Sequence, residues 1–135
     1  MSLGSGIAPL PPRSSSPRVS VVDDDPAALD SFGALLESAG YDVRLYGSCE
    51  EFLSSDISER GQVLLLDARF PNMAGLDLLA RLRDGRDHIP TLFVMGRFDQ
   101  ATRLRAMRDP AVVRVLDKPV DTSELLTAVK AALTG

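Results

Sequence analysis

Val63-Leu64-Leu65-Leu66-Asp67 is a run of four apolar residues closed by a carboxylate. A short, unbroken Val/Leu run reads as a strand buried on both faces, as in parallel sheets covered by helices. Two further segments repeat the pattern. Upstream, Val19-Ser20-Val21-Val22 runs into Asp23-Asp24-Asp25; downstream, Val112-Val113-Arg114-Val115-Leu116 runs into Asp117-Lys118-Pro119. Ligands of open parallel sheets bind outside the carboxyl ends of the strands. If these three strands are neighbours, several carboxylates and one ammonium meet at a single edge.

Working outward, strand and helix patterns alternate five times. The first strand covers about Arg18 to Val22, and a helix follows from Pro26, a favoured first-turn residue, to Ala39, with Gly40 as its stop. Tyr41 to Tyr46 alternates as a second strand. Ser48 caps a short helix carrying Phe52 and Leu53, with Glu51 at the capping-box position. The third strand is Gln62 to Leu66, and Leu76, Leu79, Ala80 and Leu82 stripe a helix ending near Gly85. The fourth strand is Thr91 to Met95, followed by a helix with Ala101, Leu104, Arg105 and Met107 that ends before Pro110. The fifth strand is Ala111 to Leu116, and the last helix, starting after Asp121 or Thr122, carries Leu125, Leu126, Val129, Ala132 and Leu133. Such a series predicts an α/β fold with right-handed crossovers. Its expected form is a doubly wound five-stranded parallel sheet in the order 2-1-3-4-5 with five helices, which places strands 1 and 3 side by side at the switch point.

Composition bounds the function. The 135 residues suit one domain, and 44% hydrophobic content is too high for a disordered chain. The net charge of -4 gives no ground for direct nucleic-acid binding. Cys49, the sole cysteine, cannot form an internal disulfide, and no apolar run approaches the ~20 residues of a membrane span. The expected setting is the cytoplasm, away from the membrane. Residues 1–17 read as a flexible Pro- and Ser-rich tail, with Met1-Ser2-Leu3 taken for an expression remnant, and residues 18–134 as the folded domain.

Carboxylates crowded at one edge need compensation. Two unit charges ~4 Å apart repel by about 4 kcal/mol at an effective dielectric of ~20. Either a pKa rises or a cation binds. Oxygen donors with open positions suit Mg²⁺, Lys118 offers a compact positive charge to a phosphate, and Asp67 is placed to act as a carboxylate nucleophile. Asp25, directly before Pro26, reads instead as a helix cap.

The combination resembles the receiver domain of two-component response regulators, a flavodoxin-like fold of the CheY-like superfamily. The resemblance rests on Val21-Val22-Asp23-Asp24-Asp25-Pro26, on Leu65-Leu66-Asp67-Ala68-Arg69-Phe70-Pro71-Asn72-Met73-Ala74-Gly75 and on Leu116-Asp117-Lys118-Pro119. The fourth-strand segment Ile89-Pro90-Thr91-Leu92-Phe93-Val94 adds to it. It implies that Asp67 accepts a phosphoryl group from a sensor histidine kinase. It also implies that Asp23, Asp24, Asp67 and the carbonyl of Arg69 hold Mg²⁺, and that Lys118, before a cis Pro119, contacts the phosphoryl oxygens. The resemblance thus implies that Asp67 and Lys118 are the catalytic pair of a phosphoacceptor that assists its own phosphorylation and dephosphorylation rather than of a true enzyme. The implied partners are the kinase, an output domain or downstream protein, and a second copy docked through the face of the fourth helix, fifth strand and fifth helix.

Two family positions depart from the pattern. The fourth strand of a receiver usually ends in Thr or Ser, and the fifth usually holds Phe or Tyr; here they are Met95 and Val115. Methionine has no hydroxyl to donate, so the switch is expected to be altered. Arg69 and Arg97 fall where the family tunes how long the aspartyl phosphate lasts. His88 reads as a surface loop residue, Cys49 as a passive small residue, and Arg103, Arg105 and Arg108 make the fourth helix basic. Two other functions stand beside the phosphoacceptor. One is an atypical receiver acting as a phosphorylation-independent interaction module, favoured by Met95 and Val115. The other is an aspartate-nucleophile phosphohydrolase, disfavoured because its second acid would stand where Arg69 does.

Overall fold

Parallel pairing of five short strands organises the molecule. The computed structural model describes residues 16–67, 75–96 and 100–134. The strands are β1 (Arg18–Val22), β2 (Asp42–Tyr46), β3 (Val63–Asp67), β4 (Thr91–Met95) and β5 (Val112–Asp117). They form one sheet in the order β2-β1-β3-β4-β5, as the alternation of patterns predicts. β3 and β4 are buried along their whole length, which is why they read as unbroken apolar runs. β2 and β5 are the edges and are only partly buried. Asp67 belongs to β3 rather than following it, and β5 starts at Val112 and takes in Asp117, each one residue beyond the sequence reading.

The helices are α1 (Pro26–Ser38), α2 (Cys49–Ser54), α3 (Gly75–Asp84), α4 (Gln100–Arg108) and α5 (Thr122–Thr134). Alternate side chains of each strand enter two separate cores. Val19, Val21, Leu65, Leu92, Val94 and Leu116 pack with Leu36 of α1 and Leu125, Ala128 and Val129 of α5. Val22, Leu64, Leu66, Phe93 and Met95 pack with Phe52 of α2, with Leu78, Leu79 and Leu82 of α3, and with Ala106 of α4. Two layers of helices on one sheet follow from this division.

Local sequence sets the element ends. Asp25 caps α1, its Oδ1 accepting from the Ala27 N–H at 3.0 Å, and Pro26 opens the helix. Gly40 takes φ 96° just beyond α1. Ser48 caps α2 through the Glu51 N–H at 3.0 Å, but Glu51 Oε1 accepts from the Gly47 N–H at 2.7 Å, one residue beyond the usual capping-box partner. A single 3-10 turn at Ile57–Glu59, absent from the sequence reading, leads into β3. Gly61, with φ 80°, then passes so close to β1 that a Cβ there would lie 2.6 Å from the Arg18 carbonyl oxygen. Between β4 and β5 the register shifts: Thr91 pairs with Val112 and Leu92 with Arg114, so Val113 is an extra residue bulged out of the edge strand.

None of the helices among the described residues is long and apolar enough to cross a membrane.

Candidate functional site

Strand register brings the charged groups together. Val22 pairs with Leu66, so Asp23 stands level with Asp67 at the carboxyl edge. Asp67 pairs with Val94, and Met95 with Asp117, so the next residue of that edge is Lys118. The backbone continues the ladder past the strand ends. Asp23 N–H donates to the Tyr46 carbonyl at 3.1 Å, and Lys118 N–H to the Met95 carbonyl at 3.0 Å. The Lys118–Pro119 bond is cis.

Lys118 Nζ donates to Asp67 Oδ2 at 2.5 Å. Asp67 and Asp23 are almost wholly buried, at 4% and 1% exposure, whereas Asp24 is exposed. Burial pushes the Asp23 carboxyl up from 3.8 to about 6. The Asp25 N–H, donating to Asp23 Oδ1 at 3.0 Å, opposes that rise. The charge of Asp67 and a hydrogen bond with it add to it, and the charge of Lys118 lowers it.

Three of the sequence-predicted residues therefore meet: Asp23, Asp67 and Lys118. Asp24, next in the chain, is exposed, and among the described residues no three acidic, His or Cys side chains close around one point. The donor set nevertheless fits a hard divalent cation. Its side-chain donors are all carboxylate oxygens, two of them buried side by side, and one ammonium leaves Asp23, Asp24 and Asp67 in negative excess. Arg69 and Arg97 lie outside the described residues.

Both atypical positions are apolar in the structure as in the sequence. Met95 is 2% exposed and packs in the same core as Phe93, Leu66 and Ala106, with Val115 half-buried against that core. Its side chain is a flexible core filler with no hydroxyl to donate. His88 is an exposed loop residue. Cys49 is buried at the start of α2; burial first, then the charges of Glu50 and Asp24, push its thiol up to about 12, which makes it inert.

One residue of consequence escaped the sequence reading. Arg60 is buried beneath the edge opposite the site, with Nη1 on Asp87 Oδ2 at 3.0 Å and Nη2 on the carbonyls of Leu53 and Ser55. Its guanidinium also lies 5.1 Å from the Phe52 ring centroid. No spacing in the sequence marks a pair separated by 27 residues.

The sequence model of the family described as the response regulator receiver domain matches residues 19–130. The response regulator protein TodT of Pseudomonas putida is 36% identical over 124 residues, 90% of this chain and 54% of that protein. The transcriptional regulatory protein FixJ of Rhizobium meliloti is 32% identical over 114 residues, 84% of this chain and 55% of that protein. The chain thus spans about half the length of these relatives. Among solved structures, a CheY-like response regulator receiver domain from Methanospirillum hungatei superposes with a TM-score of 0.80 at 28% identity, covering 88% of this chain and 94% of that one.

Proposed function

The chain belongs to the response regulator receiver domain family, and on that premise we propose that Asp67 is a phosphoacceptor serving a sensor histidine kinase. The observation that carries this reading is the 2.5 Å contact of Lys118 with Asp67 beside the buried Asp23. An Asp67 carboxylate oxygen attacks the phosphorus of the donor phosphohistidine, the P–N bond breaks, and the leaving imidazole keeps the electron pair and takes a proton. Lys118, already on Asp67 Oδ2, transfers its hydrogen bond to an oxygen of the incoming phosphoryl group. Asp23, Asp24 and the Arg69 carbonyl are the remaining groups for Mg²⁺, which neutralises phosphoryl charge when bound. Arg69 and Arg97 tune the life of the product. The folded unit is residues 18–134, set in the cytoplasm, and its state is read by an output domain or a downstream protein. A second copy docks on the face of α4, β5 and α5, where Leu104, Met107 and Val113 are exposed.

Incubation with acetyl phosphate and Mg²⁺ followed by intact-mass measurement tests this. The native chain gains one phosphoryl mass, and Asp67→Asn, or omission of Mg²⁺, abolishes the gain. A second reading, an interaction module independent of phosphorylation, is favoured by the burial of Met95 in the apolar core. It becomes the account if the chain binds Mg²⁺ yet stays unmodified by acetyl phosphate and by a cognate kinase.

A further inference from the structure

We propose that the crevice between α3 and α4 binds a small organic phosphate. It is an open depression of about 340 Å³ and shares no residue with the site at the carboxyl edge. That volume is at the low end of the range for small-molecule sites, roughly 300–1,000 Å³.

Its charges are unevenly spent. α4 carries Arg103, Arg105 and Arg108 and no acidic residue. Arg103 is paired with Asp117. Arg105 and Arg108, one turn apart, line the crevice and have no carboxylate within ion-pair distance among the described residues. Across from them, Arg83 of α3 is held by Asp109 at 2.8 Å. Asp109 is doubly engaged, since its other oxygen accepts from the Ala111 N–H at 2.9 Å, so it neutralises Arg83 but not the pair on α4. Cations at the end of α4 suit its dipole. The dipole does not account for a third guanidinium on a different helix, nor for the cavity between them.

The lining also selects what carries the anion. Leu76, Ala80 and Pro110 give the lining an apolar part, which a bare ion would leave wet and a carbon body would cover. Asp77 at the rim offers an acceptor to a hydroxyl of that body. A dianionic phosphate matches two unpaired guanidinium groups and outweighs the repulsion of Asp77; a monocarboxylate has half the charge to do so.

Calorimetric titration with adenosine monophosphate, in EDTA so that no metal joins the Asp23–Asp67 edge, decides the matter. Inorganic phosphate and adenosine serve as anion-only and body-only probes. The expected result is saturable binding of the monophosphate that weakens at least tenfold in Arg105→Ala/Arg108→Ala. Arg44→Ala on the far edge strand leaves it unchanged. Arg105→Gln/Arg108→Gln, which keeps helix-forming side chains, weakens it in the same way. No binding of the monophosphate, equal binding by the double variant, or inorganic phosphate binding as tightly overturns the proposal. The result is independent of phosphorylation at Asp67, because no step of the titration uses that residue.

Discussion

At pH 8 the Asp23 carboxylate works against the fold, because it is charged, buried and beside Asp67. Its pKa is raised in the folded state, from 3.8 to about 6, so the native protein holds this proton more tightly than the unfolded chain does. The penalty is full above pH 6, shrinks as pH falls through 6, and is gone below about 4. Asp23→Asn should therefore stabilise the metal-free protein at pH 8 by on the order of 1–3 kcal/mol. Denaturant titrations in EDTA at pH 8 and pH 4.5 check this; at the lower pH the gain shrinks to roughly a third of its value at pH 8. Arg60 gives the opposite case. Arg60→Met leaves the half-buried Asp87 without its cation and should cost about 2 kcal/mol, read as a lowered denaturation midpoint with Asp23, Asp67 and Lys118 untouched. Asp23, Asp67 and Lys118 were legible because each ends an apolar run, so register alone aligns them. Arg60 with Asp87 was not, since only folding brings those two chain segments together. Nor did the sequence say that Asp24 would stay exposed while its neighbour is buried.

Among the elements, β3 and β4 were readable because burial on both faces leaves no polar position to break the pattern. α1 and α5 were readable for a related reason: a regular stripe meets a single core. α4 is weaker, with Ala106 its only fully buried residue, and its sequence is mostly polar and basic. The 3-10 turn at Ile57–Glu59 has no periodic pattern at all, being one turn long. Its exit residue Gly61 is nonetheless one of the most constrained positions. Gly61→Ala must hold φ near 80° and force a Cβ against the Arg18 carbonyl, where the gap is 2.6 Å. A loss of about 2 kcal/mol or more is expected, measurable as a fall in the thermal midpoint. Gly40→Ala, with φ 96° but open space around it, should cost less, about 1 kcal/mol.

In the molecule as a whole, the two cores lie on opposite faces of one sheet while the charged groups gather at its carboxyl edge. Strand order was legible because the switch point of a doubly wound sheet follows from the alternation of units. The way the edges end was not legible. β5 is an edge strand with half of its backbone pairing capacity open, and such a strand invites another chain to extend the sheet. Val113, bulged from the register between Val112 and Arg114, breaks the row of evenly spaced donors and acceptors that a newcomer would need. The bulge therefore guards the open edge against strand-to-strand stacking into fibres. Deleting Val113 removes the bulge and should raise the rate of polymerisation above that of the native chain, measured side by side by light scattering.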